Sequence, residues 1–175
     1  IDTTLPKLEA TYTLKAGPAT VTAVGAYNSY DVGAPGLSKR YDIDTYVLGL
    51  GVKLAFGPVY FNGSIYQGTN MGAAGFAGNA LSQPWYDAVS DSVKDTTTLG
   101  YLLVAGFKLS DMINFQAGYG KVKNEVDRPG TWDDPQQAYY FQANIAVAKG
   151  FHLVPEVGVQ DSMDIVQNGV STTQG

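Results

Sequence analysis

The stretch that decides the fold is Thr98–Lys123, which reads TLGYLLVAGFKLSDMINFQAGYGKVK. Apolar and polar residues alternate with a period of two on both sides of a short polar turn at Ser110, which predicts two strands joined as a hairpin. The first arm is less regular, because Leu102 and Val104 interrupt its polar positions. Each arm matches the ~9–11 residues of a membrane-spanning strand and is far shorter than the ~18 residues of a spanning helix.

The same alternation recurs along the chain and predicts about eight strands. Pro155 lies inside the last of them, where a bulge or a sheet edge is expected. Besides the two arms of the quoted stretch, the predicted strands are Leu5–Lys15, Ala19–Tyr30, Ile43–Ala55, Val59–Gln67, Gln136–Ala148 and Phe151–Gln160.

Tight turns and long loops alternate between these strands. The tight turns fall near residues 17, 57, 110 and 149, and the polar loops near 36, 82, 130 and 165. The longest loop, Gly68–Thr97, has a length that is usually functional or disordered, and Pro84–Val89 within it could start a short helix. The tail Asp161–Gly175 is predicted to be another loop. Short turns at one end and long loops at the other are typical of outer-membrane barrels.

Composition narrows the class of protein. Only 15% of the 175 residues are charged, the net charge is −5 and there is no cysteine. This balance argues against nucleic acid as a partner, and disulfides and thiolate metal sites are excluded. No apolar segment is long enough for a spanning helix, so a membrane-bound form must be a closed barrel.

The polar positions of the strands carry Gly, Ser, Thr, Asn and Gln with few charges, which fits a weakly polar lumen better than a solvated sheet face. Aromatic residues cluster near the strand ends, as in interfacial girdles; the alternative is a soluble sandwich or barrel that buries them. The candidates are Tyr27, Tyr30, Tyr46, Tyr119 and Tyr139 near the loops, and Phe56, Phe61, Phe107, Phe115 and Phe151 near the turns.

Two segments carry a family resemblance: Leu5–Tyr12 (LPKLEATY) with the following Gly17-Pro18 turn, and Phe151–Val159 (FHLVPEVGV). The chain resembles Gram-negative porins, in particular those of sulfate- and iron-reducing proteobacteria. The resemblance implies a trimeric diffusion channel for small solutes or ions in the outer membrane, surrounded by lipid and lipopolysaccharide, with a long loop folded into the pore. Residues 1–175 are expected to form one domain or barrel segment.

The predicted strands place both Ile1 and Gly175 on the long-loop side, and the C-terminal aromatic residue of such barrels is absent. Since single-chain barrels have an even number of strands, we expect an interior segment of a larger barrel, with an odd number of strands on each side. Eight strands alone would close around a filled lumen, which the many inner glycines would leave underfilled.

Charged and amide side chains on the polar positions are the candidate pore lining. Lys15, Lys53 and Lys108 could form a basic row, with neighbours roughly 10 Å apart at the ~4.8 Å strand spacing, facing acids of the long loop. Solvated lysines at the membrane rim are the simpler interpretation. The predicted lining is Glu9, Lys15, Lys53, Lys108, Asn114, Gln116, Gln142, Asn144 and Glu156, and the predicted constriction acids are Asp87, Asp91 and Asp95.

Nothing in the spacing predicts a catalytic constellation or a cofactor site. The lone His152 fits a solvated side chain, and Glu9 with Glu156 is a remote glycosidase-like pair. The acidic segments Asp127–Asp134 and Tyr41–Asp44 could bind Ca²⁺ but lack EF-hand spacing, so solvated acids are favoured and no metal site is expected.

Three functions follow from these observations. The first is an outer-membrane porin, with a weak cation preference from the net acidity. The second is a closed eight-stranded outer-membrane barrel that acts as a structural or adhesion protein through its long loops. The third is a soluble carrier with an apolar ligand inside, and an enzyme is the least expected class.

Overall fold

The chain is all-β in the computed structural model, which describes residues 3, 6–33, 39–76, 82–127, 132–162, 165–167 and 170–172. Two strand pairs meet at tight turns in which Gly17 and Gly57 take positive φ values of 56° and 59°, a conformation that glycine adopts at little cost. The strands are β1 Leu8–Ala16, β2 Ala19–Gly33, β3 Arg40–Phe56, β4 Val59–Thr69, β5 Trp85–Asp87, β6 Ser92–Lys94, β7 Thr96–Lys108, β8 Ile113–Val126, β9 Trp132–Ala148, β10 Phe151–Leu153, β11 Glu156–Asp161, β12 Ile165–Gln167 and β13 Val170–Thr172.

The main sheet is an antiparallel up-and-down meander in the order β1-β2-β3-β4-β7-β8-β9, and β10, β11 and β12 pair in turn with β9. Strand β13 pairs with β12, and β5 and β6 form a separate hairpin. Strand β4 pairs directly with β7, with Thr69 opposite Thr97. Within the described residues β1 pairs only with β2, so the sheet is open there.

Several strands extend further towards the long-loop end than the sequence predicts. The β2–β3 ladder continues to Gly33 opposite Arg40, and the β8–β9 ladder continues to Val126 opposite Trp132. The polar loops predicted between these pairs are therefore shorter. The strands continue here although their side chains are polar, because the pairing is made by backbone groups and does not require apolar side chains. Leu5, the predicted start of the first strand, lies outside the described residues.

Two local predictions are wrong. The segment predicted to start a short helix at Pro84 instead forms β5, whose Trp85 and Asp87 pair with Lys94 and Ser92 of β6. The tail predicted as a loop contains β12 and β13. Of the two expectations for Pro155, the sheet edge is the one seen: within the described residues β10 and β11 pair only with β9. Residues 154 and 155 separate β10 from β11 without a change of register, and the register shift lies earlier, between Phe151 and His152.

The register confirms the predicted division into two faces. Cross-strand pairs join Leu8 to Tyr27, Tyr27 to Tyr46 and Tyr46 to Thr69, and the alternating apolar positions of β1–β4 and β7–β11 fall on the same face by the same pairing. We call this the apolar face and the opposite one the polar face. Large side chains exposed on the apolar face include Leu8, Tyr12, Leu14, Leu48, Leu50, Phe61, Ile65, Leu103, Phe141 and Val157.

Aromatic side chains on the apolar face support the predicted girdles. Phe115 stacks on Phe141 with ring centroids 6.1 Å apart, and Tyr101 lies 5.9 Å from Tyr119. Tyr30 is an exception: it pairs with Ile43 on the polar face. Among the described residues, no helix has the length and apolarity needed to cross a membrane.

Candidate functional site

The connection between β4 and β7 covers the polar face at the long-loop end. We call residues 70–95 the crossing loop; the structure describes 70–76 and 82–95. Polar-face residues of three strands are buried here, although most of the sheet is exposed: Ile43 and Thr45 of β3, Thr98 of β7 and Asn124 of β8 are at most 6% exposed. A cavity of about 360 Å³ is lined by Tyr41 and Ile43 of β3 and by Pro84 and Tyr86 of the loop.

Asn70 fixes the base of the crossing loop. Its side chain is fully buried, and its φ of 50° is a left-handed conformation that asparagine tolerates better than most residues. The Nδ2 group donates to the Asp44 carbonyl oxygen at 3.0 Å and to Asp95 Oδ1 at 2.8 Å, and Oδ1 accepts from the Thr96 N–H at 3.0 Å. One side chain therefore ties the loop to β3 and to the start of β7.

Gly68 makes room for the first turn of the crossing loop. A Cβ at this position would lie 2.3 Å from the Tyr46 carbonyl oxygen and 2.6 Å from Met71 Sδ. Met71 is 2% exposed, so its side chain occupies the space that a larger residue at position 68 would need.

A second attachment lies at the turn between β5 and β6. Asp91 accepts hydrogen bonds from Lys39, from the Tyr41 hydroxyl and, at 2.8 Å, from the Tyr86 hydroxyl. Lys39 Nζ also donates to the Asp91 carbonyl oxygen at 2.8 Å. Lys39 and the two tyrosine hydroxyls hold the pKa of Asp91 at about 2, so this carboxylate stays charged and bonded at neutral pH.

The crossing loop also reaches the first strand. Lys7 Nζ lies 4.5 Å from the ring centroid of Phe76, a cation–π distance. Lys7 directly precedes β1, whereas the loop leaves the sheet from β4. The loop therefore extends over β3 and β2 on the polar face.

The three predicted constriction acids have different roles. Asp87 is 6% exposed and accepts from Ser90 Oγ at 2.6 Å and from the Val89 N–H at 2.9 Å, which lowers its pKa. Asp95 is bonded to Asn70. Within the described part of the chain, only Asp91 of the three is in an ion pair. Its partner is Lys39, which is not one of the lysines predicted to line the pore.

The predicted lysines lie on the polar face near the tight turns. Lys15 and Lys53 are both exposed and both pair with Thr20 of β2, which puts them in one row. Lys108 forms an exposed ion pair of 3.0 Å with Asp111 in the turn. Glu9 is paired with Lys7 at 2.7 Å.

The predicted amides of the lining form a hydrogen-bonded patch. Gln142 Nε2 donates to Gln116 Oε1 at 3.0 Å, and Gln116 Nε2 donates to the Tyr140 hydroxyl at 2.8 Å. Glu156 pairs with Gln142 on β9. The remaining two amides contact Tyr60 and His152: Asn114 Nδ2 donates to the Tyr60 hydroxyl at 2.9 Å, and Asn144 Oδ1 lies 3.1 Å from His152 Nδ1.

Three tyrosines of the polar face, which the sequence did not single out, lie flat over glycines of the neighbouring strand. A Cβ on Gly106 would lie 2.0 Å from Tyr60 Cζ, and one on Gly100 would lie 2.3 Å from Tyr66 Cζ. The third pair is Tyr140 over Gly118, with 2.3 Å to Cε1. The space above these inner glycines is therefore occupied by rings from the neighbouring strands.

The candidate calcium segments do not converge. Asp42 and Asp44 are part of β3 and lie on the apolar face, where Asp44 accepts a 2.7 Å hydrogen bond from Tyr27. Asp134 is buried on the polar face, and the Asp133 side chain lies outside the described part. In the part of the chain that the structure describes, no three metal-binding side chains come together.

Comparison with models of known families and with curated proteins gave no match. Among solved structures, the chain is similar to the outer-membrane expressed OmpT of Vibrio cholerae, with a TM-score of 0.61 and 14% sequence identity over 95% of this chain. The match covers 52% of that protein, so this chain spans about half of its length. The likeness confirms the predicted fold class, an antiparallel up-and-down outer-membrane β-barrel.

Proposed function

We propose that this protein is a porin of the Gram-negative outer membrane, a passive diffusion channel for small hydrophilic solutes or ions. The observation that carries the proposal is the crossing loop, which is held against the polar face by buried hydrogen bonds while the apolar face stays exposed. In a closed barrel the polar face surrounds the lumen. A loop fixed there narrows the channel instead of displaying a surface outside it.

Further features support the assignment. The apolar face with its aromatic residues suits contact with lipid, including lipopolysaccharide at the long-loop end. The lining is mainly amide, hydroxyl and glycine, which allows water and solutes to pass without strong binding. By family resemblance the assembly is a homotrimer, and no catalytic role is proposed.

The test is single-channel conductance of the intact parent protein, extracted in detergent and added to a planar bilayer. Stable conductance steps in groups of three would support the trimeric porin. Solubility in buffer without detergent, with no insertion, would overturn the membrane assignment.

A closed barrel that acts through its loops is the second candidate. It is favoured by the β2–β3 hairpin, which continues past the Tyr27–Tyr46 pair as far as Gly33 and Arg40. Insertion into the bilayer without conductance would support this candidate against the porin.

A further inference from the structure

The three flat tyrosines lie along one strip of the polar face. Gly100, Gly106 and Gly118 are buried beneath the rings, whereas Tyr60, Tyr66 and Tyr140 are themselves partly exposed. Because one face of each ring lies on the glycine backbone, the exposed part includes the opposite face. We call these three residues the tyrosine file.

The register orders the tyrosine file along the strands. Tyr60 lies opposite Gly106 and Tyr66 opposite Gly100 of β7, while Gly118, under Tyr140, lies opposite Val104. Val104 is 7% exposed. The ring positions thus follow one another over six residues of β7, about 20 Å at ~3.3 Å per residue. The file therefore follows the strands, which are tilted about 35–45° from the axis of an outer-membrane barrel, rather than running around the barrel.

The groups that form hydrogen bonds with the file are neutral amides. Both the Tyr60 and the Tyr140 hydroxyl oxygen accept from amides, which leaves each hydroxyl hydrogen available to a solute. Gln116, Gln142 and Asn144 continue this patch towards β10. Next to a strip of ring faces, the wall therefore offers donors and acceptors without a carboxylate in the file itself.

We propose that the tyrosine file is a binding track for neutral ring-shaped polyols, that is, mono- and short oligosaccharides. This inference rests on the porin function proposed above. A sugar ring has a face of C–H groups, which the negative face of an aromatic ring attracts, and an edge of hydroxyls, which the amides and tyrosine hydroxyls can bind. Organic cations also bind aromatic faces, but Lys53 and Lys108 lie beside this strip, opposite Asn62 and Asn114, and repel them.

The test is block of ion current by sucrose and by maltotriose, added to single channels of the full-length protein in KCl. We expect a concentration-dependent loss of current. The half-blocking concentration should rise about tenfold in Tyr60→Leu and in Tyr140→Leu, the factor that corresponds to about 1.4 kcal/mol. Tyr139→Leu, which changes a neighbouring residue on the apolar face, is the matched control, and its half-blocking sugar concentration should equal that of the wild type.

A second variant protects the test against misfolding. Gly106→Ala keeps every tyrosine but forces the Tyr60 ring off the wall, and it should weaken block without loss of barrel folding, followed by heat-dependent gel migration. Conducting channels that sugars do not block, or block equally in the tyrosine variants, would overturn the track and leave the porin standing. Block by tetraethylammonium instead of sugars would also overturn it. Channels that never conduct would refute the porin itself.

Discussion

Replacement of Asn70 by alanine should release the crossing loop from the wall. The substitution removes three hydrogen bonds of a fully buried side chain. At about 1 kcal/mol net for each bond, with about 1 kcal/mol more for alanine at a positive φ, the attached state loses about 4 kcal/mol. That corresponds to a roughly 1000-fold larger detached fraction. Asn70→Gly relieves the φ term and should show a smaller effect.

Trypsin cleavage of the folded protein after Lys94, which lies in β6, measures this detachment. We expect Asn70→Ala to be cleaved there about 100- to 1000-fold faster than wild type, since cleavage of a transiently open segment follows its equilibrium population. The thermal stability of the barrel should change little, because the ladders of the main sheet remain. Ser64→Ala, on the polar face without such bonds, is the control. Cleavage of Asn70→Ala at the wild-type rate would refute the role given to Asn70.

Three further predictions concern other parts of the wall. Gly68→Ala should expose Met71, which is 2% exposed in the structure; peptide mapping after peroxide treatment should then find more oxidised Met71 than in wild type. The pKa of Asp91 is lowered to about 2, so its hydrogen bonds stabilise the attached loop fully above the unfolded pKa of ~3.9 and this stabilisation is lost as the pH falls towards 2. The fluorescence emission of Trp85 in the loop should report this acid transition, and Asp91→Asn should abolish it. Leu103→Arg on the apolar face should destabilise the barrel in lipid by about 2–4 kcal/mol near the midplane, whereas its neighbour Leu102→Arg faces the lumen and should not; equal losses in urea unfolding would contradict the assignment of faces.

The faces of the strands could be predicted from the sequence because the alternation is local. Tyr46, Leu48 and Leu50 of β3 share a face by their spacing alone, whatever the neighbouring strands do. Strand ends were less predictable, because a strand continues as long as the neighbouring strand offers backbone groups to pair with. Asp31 and Asp42 lie opposite each other and extend the β2–β3 ladder beyond the predicted strand ends. The β12–β13 hairpin had an available signal, the Asn168-Gly169 pair between two short runs, which is a strong hairpin marker.

The site depended on contacts between residues distant in sequence. The spacing of Asp87, Asp91 and Asp95 predicts acids on one loop. Asp87 bonds locally to Ser90, whereas Asp91 and Asp95 bond to Lys39 and Asn70, which are 52 and 25 positions away. Tyr60 and Gly106 are far apart in the chain, and the close fit of ring to glycine exists only through the β4–β7 register. Tyrosines at polar-face positions were the sign that could have led to them.

The position of the crossing loop has a consequence for the order of assembly. In the main sheet, neighbouring strands are joined as hairpins, except that β4 and β7 are connected by the crossing loop. The main sheet can therefore form by adding one neighbouring strand at a time, and such local steps are the fast ones in folding. The contact between Lys39 and Asp91 instead joins residues 52 positions apart and requires β3, β4 and the loop together. We therefore expect the barrel to pass through a stage in which the main sheet is complete and the loop is still free, before the loop attaches to the polar face.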